Sequence, residues 1–137
     1  RVLNCFIGAA TATGARLEYK WAERHYAPMN NNMILARLFK SNLESLGRKV
    51  YLDEAGESFG STDMGNVSQV VPGIHPNIAI APNGAPVHTT EFAKAAASAT
   101  GMKGLRDAAK AMAMTVVDLL ARPDKLKKAQ KEFQTGK

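Results

Sequence analysis

Two short apolar runs, Val67–Val71 and Ile78–Ala81, constrain this chain most, because each is closed off by Pro or Gly and stands between long helical patterns. Runs that short and apolar on both faces read as buried strands of a sheet covered on both sides. Small, polar and imidazole groups crowd around them. Gly60-Ser61-Thr62-Asp63-Met64-Gly65-Asn66-Val67-Ser68 leads into Val70-Val71-Pro72-Gly73-Ile74-His75-Pro76, and His88-Thr89 follows. Turns of that composition at strand ends are where α/β sheets place their chemistry.

The rest of the chain supplies mainly helices. Val2, Phe6, Ala9, Ala10 and Thr13 recur at helical intervals, with Gly14 as a stop. Ala15, Leu17, Tyr19 and Trp21 then alternate with Arg16, Glu18 and Lys20, the period of a strand with one wet face. Residues 22–30 carry Pro28 and read as a linker, suited to a hinge, that ends in the N-cap candidates Asn30, Asn31 and Asn32. Ile34, Leu35, Leu38, Phe39, Leu43 and Leu46 form an apolar helical stripe ended by Gly47, and Val50-Tyr51-Leu52 reads as a short strand. A second long helix spans about 101–121, with Met102, Leu105, Ala109, Met112, Val116 and Leu120 on the face expected to be buried. Arg122-Pro123-Asp124 starts a last helix that turns Leu126, Ala129 and Phe133 inward. These helices need more sheet than the short central strands provide. The expected architecture is therefore a fragment of a three-layer α/β domain with a mixed sheet.

Composition narrows the function classes. The chain has 137 residues, 45% of them hydrophobic and 22% charged, enough for one domain with a core. No run reaches the ~20 apolar residues of a membrane helix. The net charge is +6, with Lys125, Lys127, Lys128, Lys131 and Lys137 close together. Aromatics do not interleave with them as in a nucleic-acid surface, so they read as a solvated helix face. Neither nucleic acid nor membrane is an expected partner. Cys5 is the single cysteine, which excludes an internal disulfide and a cysteine zinc cluster and points to a cytoplasmic location.

The candidate metal or acid–base groups are His75, His88, Asp63, Glu91, Asp53, Glu54 and Glu57, and their spacing matches no compact metal motif. Taken singly, a histidine is more often structural than a ligand. Asp63 stands out because it sits between Thr62 and Gly65-Asn66 just ahead of a predicted strand. Its bland alternative is an Asx-turn or helix cap.

The ordered string from Gly60 to Pro76, the His88-Thr89 pair, Ala108–Thr115 and Pro123–Leu126 with Glu132-Phe133 resemble one enzyme family. It comprises the zinc-dependent amidohydrolases and peptidases that include aminoacylases and glutamate carboxypeptidases. The similarity is greatest to the subgroup of Xaa-Arg (β-alanyl-lysine) dipeptidases and aminobenzoyl-glutamate hydrolases. Asn77-Ile78 departs from the pattern, where an aromatic is expected, and bears on substrate preference.

The resemblance implies that residues 1–21 end a lid or dimerisation domain and that 22–137 form the C-terminal part of a catalytic domain. It implies hydrolysis of an amide or peptide bond in a small acyl-amino acid or dipeptide by the full-length parent, a homodimer with one or two divalent metals, zinc foremost, per subunit. Zinc polarises a carbonyl and lowers the pKa of its water toward ~7. His88 falls at the family's last metal-ligand position. Ser61, Thr62, Asp63, Asn31, Asn32 and His75 fall at the cleft wall or substrate side. No catalytic base is expected here, since the family's His-x-Asp and Glu-Glu motifs do not occur. The alternative is a non-catalytic dimerisation or binding module on the same fold.

Overall fold

The computed structural model describes residues 1–23, 25–52, 62–81 and 85–136. In chain order they form α1 (Val2–Thr13), α2 (Met33–Ser45), α3 (Met64–Ser68), α4 (Thr90–Ala96), α5 (Ala99–Ala121) and α6 (Pro123–Thr135). The predicted stops Gly14 and Gly47 both take positive φ, at 70° and 78°. Helix α2 packs on α5 and α6, α5 packs on α6 and α4, and α1 packs on no other helix.

The expected three-layer α/β fragment with a mixed sheet is not what forms. Among the described residues there is no strand, and the only strand-like pairing is an isolated parallel bridge between Asn31 and Gly73. A strand is stable only when a neighbour takes up its backbone groups. Among the described residues, each expected strand lacks that neighbour. Val67 and Ser68 instead close α3, and the Val70 and Val71 amides turn back onto the Val67 carbonyl. A four- or five-residue apolar run does not distinguish strand from helix by itself. Ile78–Ala81 runs unpaired beside α5, where Arg48 donates to the Ala79 carbonyl (2.9 Å). The Val50 carbonyl accepts from Lys40 Nζ (2.9 Å), and residues 15–21 form no ladder with any other described segment. Tyr19 and Trp21 do share one side, in edge-to-face contact at 6.2 Å.

The core is small. Phe39, Leu43 and Ala111 form its buried centre, with Leu46, Val50, Ile74 and Ile78 packed around them. Helix α5 also turns a different face inward from the one its pattern predicts. Its buried residues are Gly101, Gly104, Asp107, Ala111 and Thr115. Leu105, Met112 and Leu120 are 61%, 56% and 76% exposed. Ala111 and Thr115 meet α2, Gly101 lies against the end of α4 and Gly104 against Ile78 and Ile80, and the large apolar side chains then point away.

Polar groups complete the α2–α5 seam. Asn42 Nδ2 donates to Thr115 Oγ1 (3.1 Å) and to Asp118 Oδ2 (2.9 Å). Lys103 and Arg48 both donate to Asp107 Oδ2, at 2.7 and 2.8 Å. The Lys103 ammonium and then the Arg48 guanidinium hold the Asp107 carboxyl below its ordinary range. Asn42, then Arg122, does the same for Asp118.

Two outcomes follow from this packing. Phe39→Ala should cost about 3–5 kcal/mol, as for other buried aromatics. Met112→Ala, on the same α5 but outside the core, should change the stability of the monomer by less than ~0.5 kcal/mol. Urea denaturation at low protein concentration measures both, and a large loss at Met112 would show that its stripe is covered. Asp107 and Asp118 have depressed folded pKa values, so the stability they add is present above the unfolded value of about 4 and is lost as pH falls through the folded values. Thermal melts from pH 7 to pH 2 should therefore show an acid loss that is shallower in Asp107→Asn.

Candidate functional site

The loop ahead of α4 carries the first candidate. Thr89 N-caps α4, accepting from the Phe92 amide (3.2 Å) while donating to the Pro86 carbonyl (2.7 Å). Those two bonds fix the turn on both sides of His88. His88 has φ 65°, the only non-glycine positive φ among the described residues. That left-handed backbone costs an ordinary residue roughly 1–2 kcal/mol. Outliers of this kind concentrate at functional positions. The imidazole is exposed.

Asp63 lies at the start of α3. Its carbonyl accepts from the Asn66 and Val67 amides, but its carboxylate makes no capping bond. The cap role considered for it is therefore not the one it has, and the carboxylate is exposed. Thr62 Oγ1 accepts from the Met64 amide at 3.3 Å. Ser61 lies outside the described residues, as do Asp53, Glu54 and Glu57.

His75 follows a well-anchored pair. Gly73 accepts from the Asn32 amide (3.0 Å), and Ile74 packs on the core, which leaves His75 exposed at the end of that segment. Asn31 is exposed beside the bridge to Gly73. Asn32 is only 4% exposed and fully engaged. Its Oδ1 accepts from the Leu35 amide (3.1 Å), and its Nδ2 donates to the Ala129 carbonyl (2.9 Å).

The described residues bring Asn31, Asn32 and His75 to the two sides of one backbone bridge. They do not bring His88, His75 and Asp63 into a metal set. No group of three described His, Cys, Asp or Glu side chains is placed to hold a metal ion. An apolar groove of about 310 Å³ lies between α5 and the 78–80 segment, lined by Ile78, Ile80, Met102 and Leu105 among others, and contains none of the candidates.

Sequence reasoning missed the residues whose side chains organise the neighbourhood. Glu132 caps α2 from α6, through Oε1 to the Met33 amide (3.1 Å) and Oε2 to the Ile34 amide (3.0 Å). No local pattern announces a bond spanning 99 residues. Asn66, Ser68 and Gln69 bond the backbone of residues 25–30. Their signal was present as polar side chains clustered on one short apolar run, where a strand reading gave them no task.

No family model matches the chain. It is similar to Xaa-Arg dipeptidase from Mus musculus, 37% identical over 134 residues that cover 96% of this chain and 31% of that protein. Xaa-Arg dipeptidase from Homo sapiens is likewise 37% identical over 134 residues, 96% of this chain and 30% of that protein. The chain spans about a third of the length of these curated relatives. Over nearly all of its own length, the chain is similar in sequence to these dipeptidases.

Proposed function

We propose that this chain is the C-terminal part of a metal-dependent amidohydrolase that hydrolyses a dipeptide or a small acyl-amino acid. The observation that carries the reading is the 37% identity to Xaa-Arg dipeptidase across 96% of the chain. His88 is the metal ligand this chain contributes. Its support is an exposed imidazole on a strained, doubly tied turn. A neutral imidazole is a good donor to a divalent ion such as zinc, and a bound metal of this kind supplies Lewis-acid polarisation of the amide carbonyl and activation of water.

The fit is that of one ligand and not of a whole site. A catalytic zinc takes three protein ligands, and the described residues hold no such group. One or two metals per subunit would thus be completed by residues of a longer parent. Thr62, Asp63, Asn31 and His75 line the substrate side, with Ser61 beside them in sequence. Asn32 acts there by fixing Asn31. A homodimeric parent is supported by the exposed apolar stripe of α5. A cytoplasmic setting rests on the lone, exposed Cys5. No helix among the described residues is long and apolar enough to cross a membrane. The missing donor group and that same stripe favour one second reading, a binding or dimerisation module without catalysis.

His88 decides between the two. In the full-length parent, His88→Ala should lower activity by roughly a hundredfold or more and deplete bound metal. His88→Gly should deplete metal equally while keeping or raising stability, by up to about 1 kcal/mol, because glycine takes positive φ without strain. Metal analysis with dipeptide turnover measures the first and urea melts the second. Full metal content and turnover in both variants would make His88 a structural residue. His75→Ala should shift KM or stability and leave metal content unchanged. The 137-residue chain alone should hydrolyse no dipeptide, and metal-dependent turnover by it would sink the assignment.

A further inference from the structure

Helix α6 reaches the start of α2 through Glu132 and Ala129. Glu132 Oε1 accepts from the Met33 amide (3.1 Å), and Oε2 accepts from the Ile34 amide (3.0 Å). One turn earlier on α6, the Ala129 carbonyl accepts from Asn32 Nδ2 (2.9 Å). Ala129 and Asn32 are both buried. A carboxylate offers acceptors only, and the opening amides of a helix are unpaired donors at the positive end of its dipole. Such charge-assisted bonds are about twice as strong as those between neutral groups. The fit uses both oxygens of one carboxylate, which a glutamine cannot supply.

Glu132 holds more than a helix end. Asn32, just before the two amides, donates its own amide to the Gly73 carbonyl (3.0 Å). Asn31 and Gly73 form the parallel bridge. The exposed Asn31 thus adjoins the fixed Asn32, and the exposed His75 lies two residues past Gly73. Ile74, between Gly73 and His75, packs on the core. The bridge is isolated, so no second rung keeps it in register. If the first turn of α2 frays, Asn32 shifts and the bridge loses its hold on both sides.

We propose that Glu132 is a positioning residue for substrate binding, a role that rests on the reading of Asn31 and His75 as substrate-side residues. From α6 it fixes the start of α2 and so sets the placement of Asn31 and His75 across the bridge. The last helix thereby takes part in binding without touching substrate. Metal binding is independent of it, because α6 packs on α2 and α5 but not on α4, the helix that follows His88.

The first arm of the test uses the full-length parent. Glu132→Gln keeps the shape, loses one acceptor and sets an N–H against an N–H. It should raise KM for a dipeptide by about tenfold, with kcat within about twofold and metal content unchanged. Added acetate should bring KM partly back in Glu132→Ala, by refilling the two amides, and should do nothing for Glu132→Gln, whose side chain still fills the place. Lys128→Ala, exposed on the same helix, should leave KM as it is. An unchanged KM in Glu132→Gln, or a loss confined to kcat and metal, would overturn the proposal.

The second arm uses the 137-residue chain and NMR. Glu132→Gln should speed exchange at the Met33 and Ile34 amides and shift the Asn31 side-chain amide and His75 ring signals, with the Met112 amide on α5 unmoved. Asn31 and His75 signals that stay in place while those amides open would also overturn it. A parent that turns over no dipeptide would sink the hydrolase reading alone, since these signals still decide the positioning. Where Glu132→Gln does not fold, Glu132→Asp keeps the charge on a shorter side chain, and its KM and signals decide in its place.

Discussion

Asn32 is the junction on which the helical body depends. Its amide donates to the Gly73 carbonyl, its carbonyl accepts from Ala36, its Oδ1 caps Leu35, and its Nδ2 reaches Ala129 on α6. A helix begins with amides that have no intrahelical partner. For α2 the first three, Met33, Ile34 and Leu35, are satisfied by the side chains of Glu132 and Asn32. Buried donors left unpaired cost about 1–3 kcal/mol each. Docking α6 is therefore part of what lets α2 start where it does. The start of α2 in turn fixes Phe39 and Leu43 over Ala111, and with them the core.

Core size explains why such polar junctions matter. Among the described residues, the buried apolar side chains apart from Ala129 are Phe39, Leu43 and Ala111. Burial of a large apolar side chain contributes about 1.5–3 kcal/mol. Two such side chains are a thin basis for holding four helices together. Asn42 with Thr115 and Asp118, and Asp107 with Lys103 and Arg48, do for the α2–α5 seam what larger apolar contacts do elsewhere. Meanwhile Val116, Val117 and Leu120 lie more than half exposed on the same helix.

Helix positions were legible in the sequence because they rest on local physics. The 3.6-residue period placed α1, α2, α5 and α6, and the glycine stops placed two of their ends. Which face of α5 is buried was not legible. Periodicity identifies an apolar face, but whether that face is covered depends on a partner the local pattern does not contain. The strands failed for a related reason. Val67–Val71 carries the composition of a central strand, and composition becomes a strand only beside another strand. In its absence Asp63 and Thr62 start a short helix through their own carbonyls. Of the proposed site, His88 was named through its motif, while the left-handed backbone beneath it was not legible. Asn32 was named for the substrate side, and its bonds run into the fold.

These bonds divide the motif by the work each residue does. Gly65, Asn66, Ser68 and Gln69 belong to the string that resembles the amidohydrolases, yet their polar groups are spent on residues 25–30 and on α3 itself. Asp63, His75 and His88 present exposed side chains on backbone that neighbouring residues fix. A group whose every donor and acceptor is engaged cannot also bind a substrate without breaking a bond of the fold. A group left open on a fixed backbone can. Close sequence similarity weighs both kinds alike, so the resemblance alone overstates how many residues carry chemistry. Among the described residues of the string, Asn66, Ser68 and Gln69 are engaged in holding residues 25–30 and α3, and only those left open, such as Asp63 and His75, have side chains free of such work.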